Sequence, residues 1–282
     1  MRLDNERESS NIEDRRGSGG LVASGGKIGL GTIALALVAM YFGVDPSVVL
    51  NGVGALQPST QQTQTASQPA NDEMTKFVSM VLADTEDTWH DLFAKMGKEY
   101  EDPKLVLFSG ETPTACGAGQ AAMGPFYCPA DHKVYIDLSF YQELKDRFHA
   151  PGEFAEAYVI AHEVGHHVQN LLGISDKVQS MRSHAGSEAA SNALSVKMEL
   201  QADCLAGVWA FHANQARSIL EQGDIESAIN AATAIGDDKL QKQAQGYVVP
   251  ETFTHGSSAQ RVEWFNRGIQ QGDIKQCNTF AS

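Results

Sequence analysis

The stretch Ala161-His162-Glu163-Val164-Gly165-His166-His167 limits this chain more than any other. It is an H-E-x-x-H sequence inside a segment patterned as one helix. Residues four apart on a helix share a face, one turn from each other. His162 and His166 therefore offer two imidazole nitrogens to a single metal ion, and Glu163 reaches water bound there. That is the spacing of a zinc hydrolase with the glutamate as general base. An ordinary amphipathic helix with two surface histidines yields the same letters by chance, so the setting decides. Phe154, Tyr158, Val159, Val168 and Leu172 mark a buried side, and Gly173 is a natural stop. A packed helix can hold a ligand pair in fixed geometry.

Zinc catalysis needs a third protein ligand and leaves the fourth position to water. Glu199-Leu200-Gln201-Ala202-Asp203 supplies one, in a second helical stretch from about Ser187 to Asn214. Glu199 is expected to bind the metal. Asp203, one turn on, is expected to accept a hydrogen bond from the free ring nitrogen of a ligand histidine, fixing its tautomer. An E-x-x-x-D pair usually sits on a solvated face. Here Val196, Met198, Leu200, Leu205, Ala206, Val208 and Trp209 flank it, and carboxylates in so apolar a helix require a partner.

H-E-x-G-H-H followed by E-L-Q-A-D-C-x-A-G-V-W-A resembles the bacterial, membrane-anchored "putative neutral zinc metallopeptidase" family, distant relatives of the gluzincins. The resemblance runs from about Met74 to the C-terminus and takes in His255 to Arg261 with Trp264-Phe265. It implies one zinc ion, a peptidase site and a zincin-like, helix-rich domain, and the chain does not depart from the metal-binding pattern.

The rest of the chain divides unevenly. Met1 to Lys27 is polar and Gly/Ser-rich and reads as a disordered cytoplasmic tail. Residues 28–44, IGLGTIALALVAMYFGV, run without a charge and read as one transmembrane helix, with Tyr41 and Phe42 at a headgroup boundary. Arg15, Arg16 and Lys27 precede it, and no basic residue follows until Lys76. The expectation is a single-pass protein of a bacterial inner membrane, its N-terminus cytoplasmic and its domain periplasmic. Residues 45–71, rich in Gln, Thr and Ser, form a flexible linker.

The folded domain spans residues 72–282 and is expected to be mainly α with a small β element (α+β). Phe77, Met80, Val81, Trp89, Leu92 and Phe93 stripe a first helix, on which His90 is a surface residue. Residues 104–108 and 133–137 read as short strands, either of them able to hold an extended peptide by main-chain bonds. Ser109 to Asp131 reads as an irregular loop between them, and Leu138 to Phe148 as a short helix. Helices follow at 224–234, 238–245 and 257–272, the last burying Val262, Phe265 and Ile269.

His255, in a loop beyond Pro250, is a candidate to stabilise a developing oxyanion, with nearby Tyr247 as the other option. A capping or surface role is the bland alternative for His255. His167, roughly 140° around the helix from His162, should bond elsewhere. Four cysteines allow three pairings. In an oxidising compartment Cys116–Cys128 with Cys204–Cys277 is the economical one. Metal ligation by Cys204 is the sharper alternative, but that residue lies off the Glu199 face.

The net charge of −14 with a pI near 5.0 repels phosphate backbones and disfavours nucleic acid as partner. The partners expected are a peptide or protein substrate and a membrane. The function expected is a zinc-dependent metallopeptidase (a hydrolase). A non-catalytic, zinc-stabilised scaffold module in the envelope is the alternative, disfavoured because a structural site needs no base beside it.

Overall fold

The computed structural model describes residues 1–3, 6–16 and 73–281. Strand β1 (Ile12–Asp14) is followed by helix α1 (Glu73–Lys95), whose apolar stripe Phe77, Val81, Trp89, Leu92 and Phe93 is buried. Then come β2 (Lys104–Phe108), a hairpin of β3 (Glu111–Thr114) and β4 (Gly117–Gln120), a 3₁₀ turn Ala121–Met123, β5 (Phe126–Cys128) and β6 (Lys133–Asp137). The main sheet has the order β1-β2-β6-β5. β1, β2 and β6 run parallel, and β5 is antiparallel on the edge. Alternation along the strands gives each face its own core. Leu105, Leu107, Val134 and Ile136 face the helices, while Val106, Phe108 and Tyr135 pack with Cys128 and Phe126 on the other side.

Two expectations change here. The stretch from Ser109 to Asp131 is not an irregular loop, because it carries β3, β4 and β5. Its strands are short and rich in Gly, Pro and Ala, so the apolar alternation that reveals a strand is missing. As a result β2 and β6 are both interior strands, and neither offers a free edge to a peptide.

Met1–Arg16 is not the free tail its composition suggests. Ile12 pairs with Leu105 and Asp14 with Leu107. Glu86 on α1, only 2% exposed, draws the segment in: it accepts Ser9 Oγ at 2.5 Å, Asn11 Nδ2 at 2.9 Å and Arg7 Nη2 at 2.8 Å. A buried carboxylate requires such donors, and the distant N-terminal segment supplies them. Residues 1–16 and the domain thus form one body. The remainder of the expected tail (4–5 and 17–27), the apolar run 28–44, the linker 45–71 and residue 72 lie outside the described residues. Among the described residues no helix is long and apolar enough to cross a membrane.

The helical layer consists of α2 (Ser139–Asp146), α3 (Glu153–Leu171), α4 (Ile174–Ser183), α5 (Glu188–Arg217), α6 (Asp224–Ala234), α7 (Asp237–Gln245) and α8 (Ser258–Gln271). Helix α4 has one buried residue, Val178, too little of a stripe to show in the sequence. Helix α5 begins at a Ser187 cap that accepts the Ala190 N–H at 3.1 Å, and α8 begins with a Ser257/Gln260 capping box. Phe154 of α3 stacks on Trp209 of α5 with centroids 5.9 Å apart, both fully buried. Side chains of that size each contribute about 2–3 kcal/mol on burial. A Cβ at Gly165 would stand 3.0 Å from the Ala202 carbonyl oxygen, so the glycine lets α3 and α5 approach closely. Gly207 and Gly268 bring α5 and α8 together in the same way, backbone against backbone.

Candidate metal centre and active site

His162 and His166 project from α3 toward Glu199 on α5. One ligand atom from each lies within 4.8 Å of the others. His162 Nε2 is 3.1 Å from one Glu199 oxygen, and His166 Nε2 is 3.5 Å from the other. Both Nδ1 atoms are occupied elsewhere. His162 Nδ1 donates to Asp203 Oδ1 at 2.8 Å. His166 Nδ1 donates to Gln169 Oε1 at 2.8 Å, and the Gln169 amide nitrogen is itself tied to Met198 O at 2.8 Å and Gln201 Oε1 at 3.1 Å. With Nδ1 so bonded, each ring would turn its Nε2 lone pair to a cation held at the shared point. Two imidazole nitrogens and a carboxylate oxygen are a donor set that suits zinc.

The electrostatics match. Burial alone would lower the His162 pKa, but Asp203 and Glu199 outweigh it and push it up to about 10. Burial likewise opposes ionisation of Glu199, yet His166 and His162 hold its carboxyl well below the usual range. Asp203 is brought down to about 2 against its burial, by Arg261 and His162. Without a cation between them, these groups form a tight ionic knot. Glu163, 7% exposed, faces the same space, and burial raises its carboxyl above the ordinary value.

The centre opens into a cleft of about 860 Å³. One wall is the 3₁₀ turn and β5, and others carry Phe140 and Arg147 from the α2 region and Val178 and Arg182 from α4. The Cys116–Cys128 disulfide closes this β-rich wall on itself, and Cys204–Cys277 ties α5 to the C-terminal turn. Cys204 is thereby not a metal ligand.

His255 also borders the cleft, but it does not belong to the convergent trio. Its Nδ1 lies 3.3 Å from Asp237 Oδ1, which raises its pKa. Asp237 Oδ2 accepts the backbone N–H groups of Thr254, His255 and Gly256 at 2.8, 2.6 and 3.0 Å, fixing the loop that carries the ring. Tyr247 is 62% exposed and lies outside the cleft lining. His167 is fully buried, accepting Tyr127 OH at Nδ1 (2.9 Å) and donating Nε2–H to the Glu101 carbonyl (2.6 Å).

Four residues around the site were given no role by the sequence: Tyr158, Gln169, Asp237 and Arg261. Tyr158 and Arg261 both bond Asp203. Arg261 had a legible signal. It shares the fully buried stripe of α8 with Phe265 and Gly268, while Val262 and Ile269 are partly buried against the same core. A charge in a core stripe needs a partner.

Two histidines and a glutamate with converging donor atoms, backed by a buried aspartate, form a group of the H-E-x-x-H class that could hold a metal ion. The chain belongs to the family described as "Putative neutral zinc metallopeptidase", whose model matches residues 1–280. It is 56% identical over 289 residues to "Uncharacterized protein YpfJ" of Escherichia coli (strain K12), with 99% of each chain covered. It is 40% identical over 262 residues to "Uncharacterized protein Rv2575" of Mycobacterium tuberculosis (strain ATCC 25618 / H37Rv), covering 86% of this chain and 85% of that one. No solved structure matches.

Proposed function

We propose that this chain is a zinc-dependent peptidase. The convergence of His162, His166 and Glu199 beside Glu163, at the floor of an open cleft, carries that reading. Zinc held by the trio supplies Lewis acidity and makes water a competent nucleophile near neutral pH. Glu163, its carboxyl raised by burial, takes a proton from the attacking water and passes it to the leaving amide nitrogen, worth about 10²–10⁴-fold in rate. Asp203 and Gln169 keep the ligand rings in one tautomer. His255, its Nδ1 bonded to Asp237, directs Nε2–H at the oxygen that gains charge on the substrate carbonyl.

The substrate is a peptide or protein segment lying extended across the cleft. The strand that meets it is β5, whose residues line the cleft and whose outer edge has no strand neighbour among the described residues. Both disulfides favour an oxidising, extracytoplasmic compartment. The apolar run 28–44 is the segment proposed to meet a membrane, with Met1–Arg16 and the domain on one side of it.

The deciding experiment is Glu163→Gln assayed with a peptide library on the full chain. The variant is expected to bind zinc as the wild type does and to lose hydrolysis. Undiminished hydrolysis in that variant would refute the assigned mechanism.

A further inference from the structure

We infer that Arg261 is a positioning residue for the metal centre, acting through Asp203 to hold the His162 ring in its ligating pose. The inference rests on the zinc reading above. Arg261 reaches the site from α8 and is 2% exposed, while Asp203 is wholly buried. Asp203 Oδ1 accepts three donors: Tyr158 OH at 2.5 Å, His162 Nδ1 at 2.8 Å and Arg261 Nη2 at 2.9 Å. Its Oδ2 accepts Arg261 Nε, also at 2.9 Å. The guanidinium thus grips both oxygens with two parallel bonds.

A buried carboxylate needs a cation close by. An imidazole that ligates a metal is neutral, so His162 cannot fill that role in the loaded state. Arg261, permanently protonated, can. Its geometry matters as much as its charge. The planar fork fixes the plane of the carboxylate, and with it the direction in which Oδ1 meets the His162 ring. An ammonium would supply the charge without fixing the plane. The fork is itself held, with Nη2 also 3.2 Å from Tyr158 OH and Nη1 3.5 Å from the Ile235 carbonyl.

Helix α8 does not depend on this arginine for its place. The Gly207/Gly268 contact holds it against α5, and Cys204–Cys277 ties the turn that follows it to the same helix. Variants at 261 should therefore fold, which makes the following test informative.

The zinc dissociation constant of the full chain is measured by chelator competition for wild type, His162→Ala, Arg261→Lys, Asp203→Asn and the Arg261→Lys/Asp203→Asn double variant. Thermal unfolding of the metal-free forms serves as a fold check. Arg261→Lys is expected to weaken zinc about 10- to 100-fold while unfolding cooperatively. Asp203→Asn should weaken it comparably, and the double variant no further than Asp203→Asn alone, because the arginine works through that carboxylate. Wild-type affinity in Arg261→Lys, or losses that multiply in the double variant, overturns the inference and leaves the zinc site standing. Should the wild type bind no zinc, or His162→Ala bind it equally well, the zinc reading falls and this inference with it.

Discussion

Gly268 of α8 lies directly against the backbone of Cys204 on α5, closely enough that a side chain at 268 would collide with the Cys204 carbonyl. Asp203 is the neighbour of Cys204, so this close backbone approach adjoins the carboxylate that accepts the His162 Nδ1 hydrogen bond. The packing of α8 and the chemistry of the cleft are thereby linked.

Gly268→Ala is accordingly expected to do two things. Overpacking should destabilise the fold by about 1–3 kcal/mol, read from the urea midpoint. Zinc should also bind more weakly, because displacement of α8 moves Arg261 off Asp203. Loss of stability with unchanged zinc affinity would show the contact to be purely structural.

His255 and Asp237 make a separable prediction. Replacing His255 with Ala should lower kcat about 10²- to 10³-fold without loss of zinc, since the ring donates to the transition state and not to the metal. Asp237 raises the pKa of His255, so the protonated, donating form persists to higher pH. Activity carried by that form is full below the pKa and fades above it. Asp237→Asn should therefore move the alkaline limb of the kcat–pH profile to lower pH; an unmoved limb speaks against the pairing.

Zinc uptake should be strongly pH-dependent. With no metal bound, His162 holds its proton up to about 10 and His166 is shifted in the same direction by Glu199. Zinc must displace those protons. Affinity measured by chelator competition should rise steadily from about pH 6 to about pH 8, and calorimetry in buffers of differing ionisation enthalpy should register proton release. A flat affinity across that range would contradict the ligand assignment.

His167 provides a stability test away from the cleft. Burial lowers its pKa from 6.5 to about 4, so the unfolded chain binds the extra proton first as pH falls. The neutral form's contribution is fully present above pH 6.5 and is lost progressively between 6.5 and about 4. The loss amounts to about 3 kcal/mol at the acid end. Urea midpoints of wild type and His167→Gln, compared across that window, should converge as the pH drops.

Deleting residues 1–16 should destabilise the domain by more than about 2 kcal/mol, since the charge-assisted bonds to Glu86 and the β1–β2 ladder go together. Hydrogen exchange should then reach β2 first. A deletion variant as stable as the full chain would assign those contacts no weight.

What the sequence disclosed and what it withheld have separate physical origins. The convergent histidine pair was legible because i and i+4 on a helix is a fixed geometry, and Glu199 was legible as a carboxylate among apolar neighbours. The helix carrying the histidines followed from its apolar period and the Gly173 stop, and the helix at 224–234 from its Ala-rich run. β5 was not legible: three residues beside Gly and Pro give no alternation, and its strand character comes from pairing with β6. β1 was hidden for a similar reason, because its order depends on Glu86 and β2, far along the chain. Gln169 lay within the metal helix but bore no mark, since its role appears only once Met198 and Gln201 face it.

The shared sheet has one more consequence. The chain leaves that sheet after Arg16 and returns to the same body at Glu73. A protease nick anywhere between those points would yield two fragments that stay associated. A denaturing gel would resolve both, while a sizing column would elute a single particle, its short N-terminal piece retained as a non-covalent subunit.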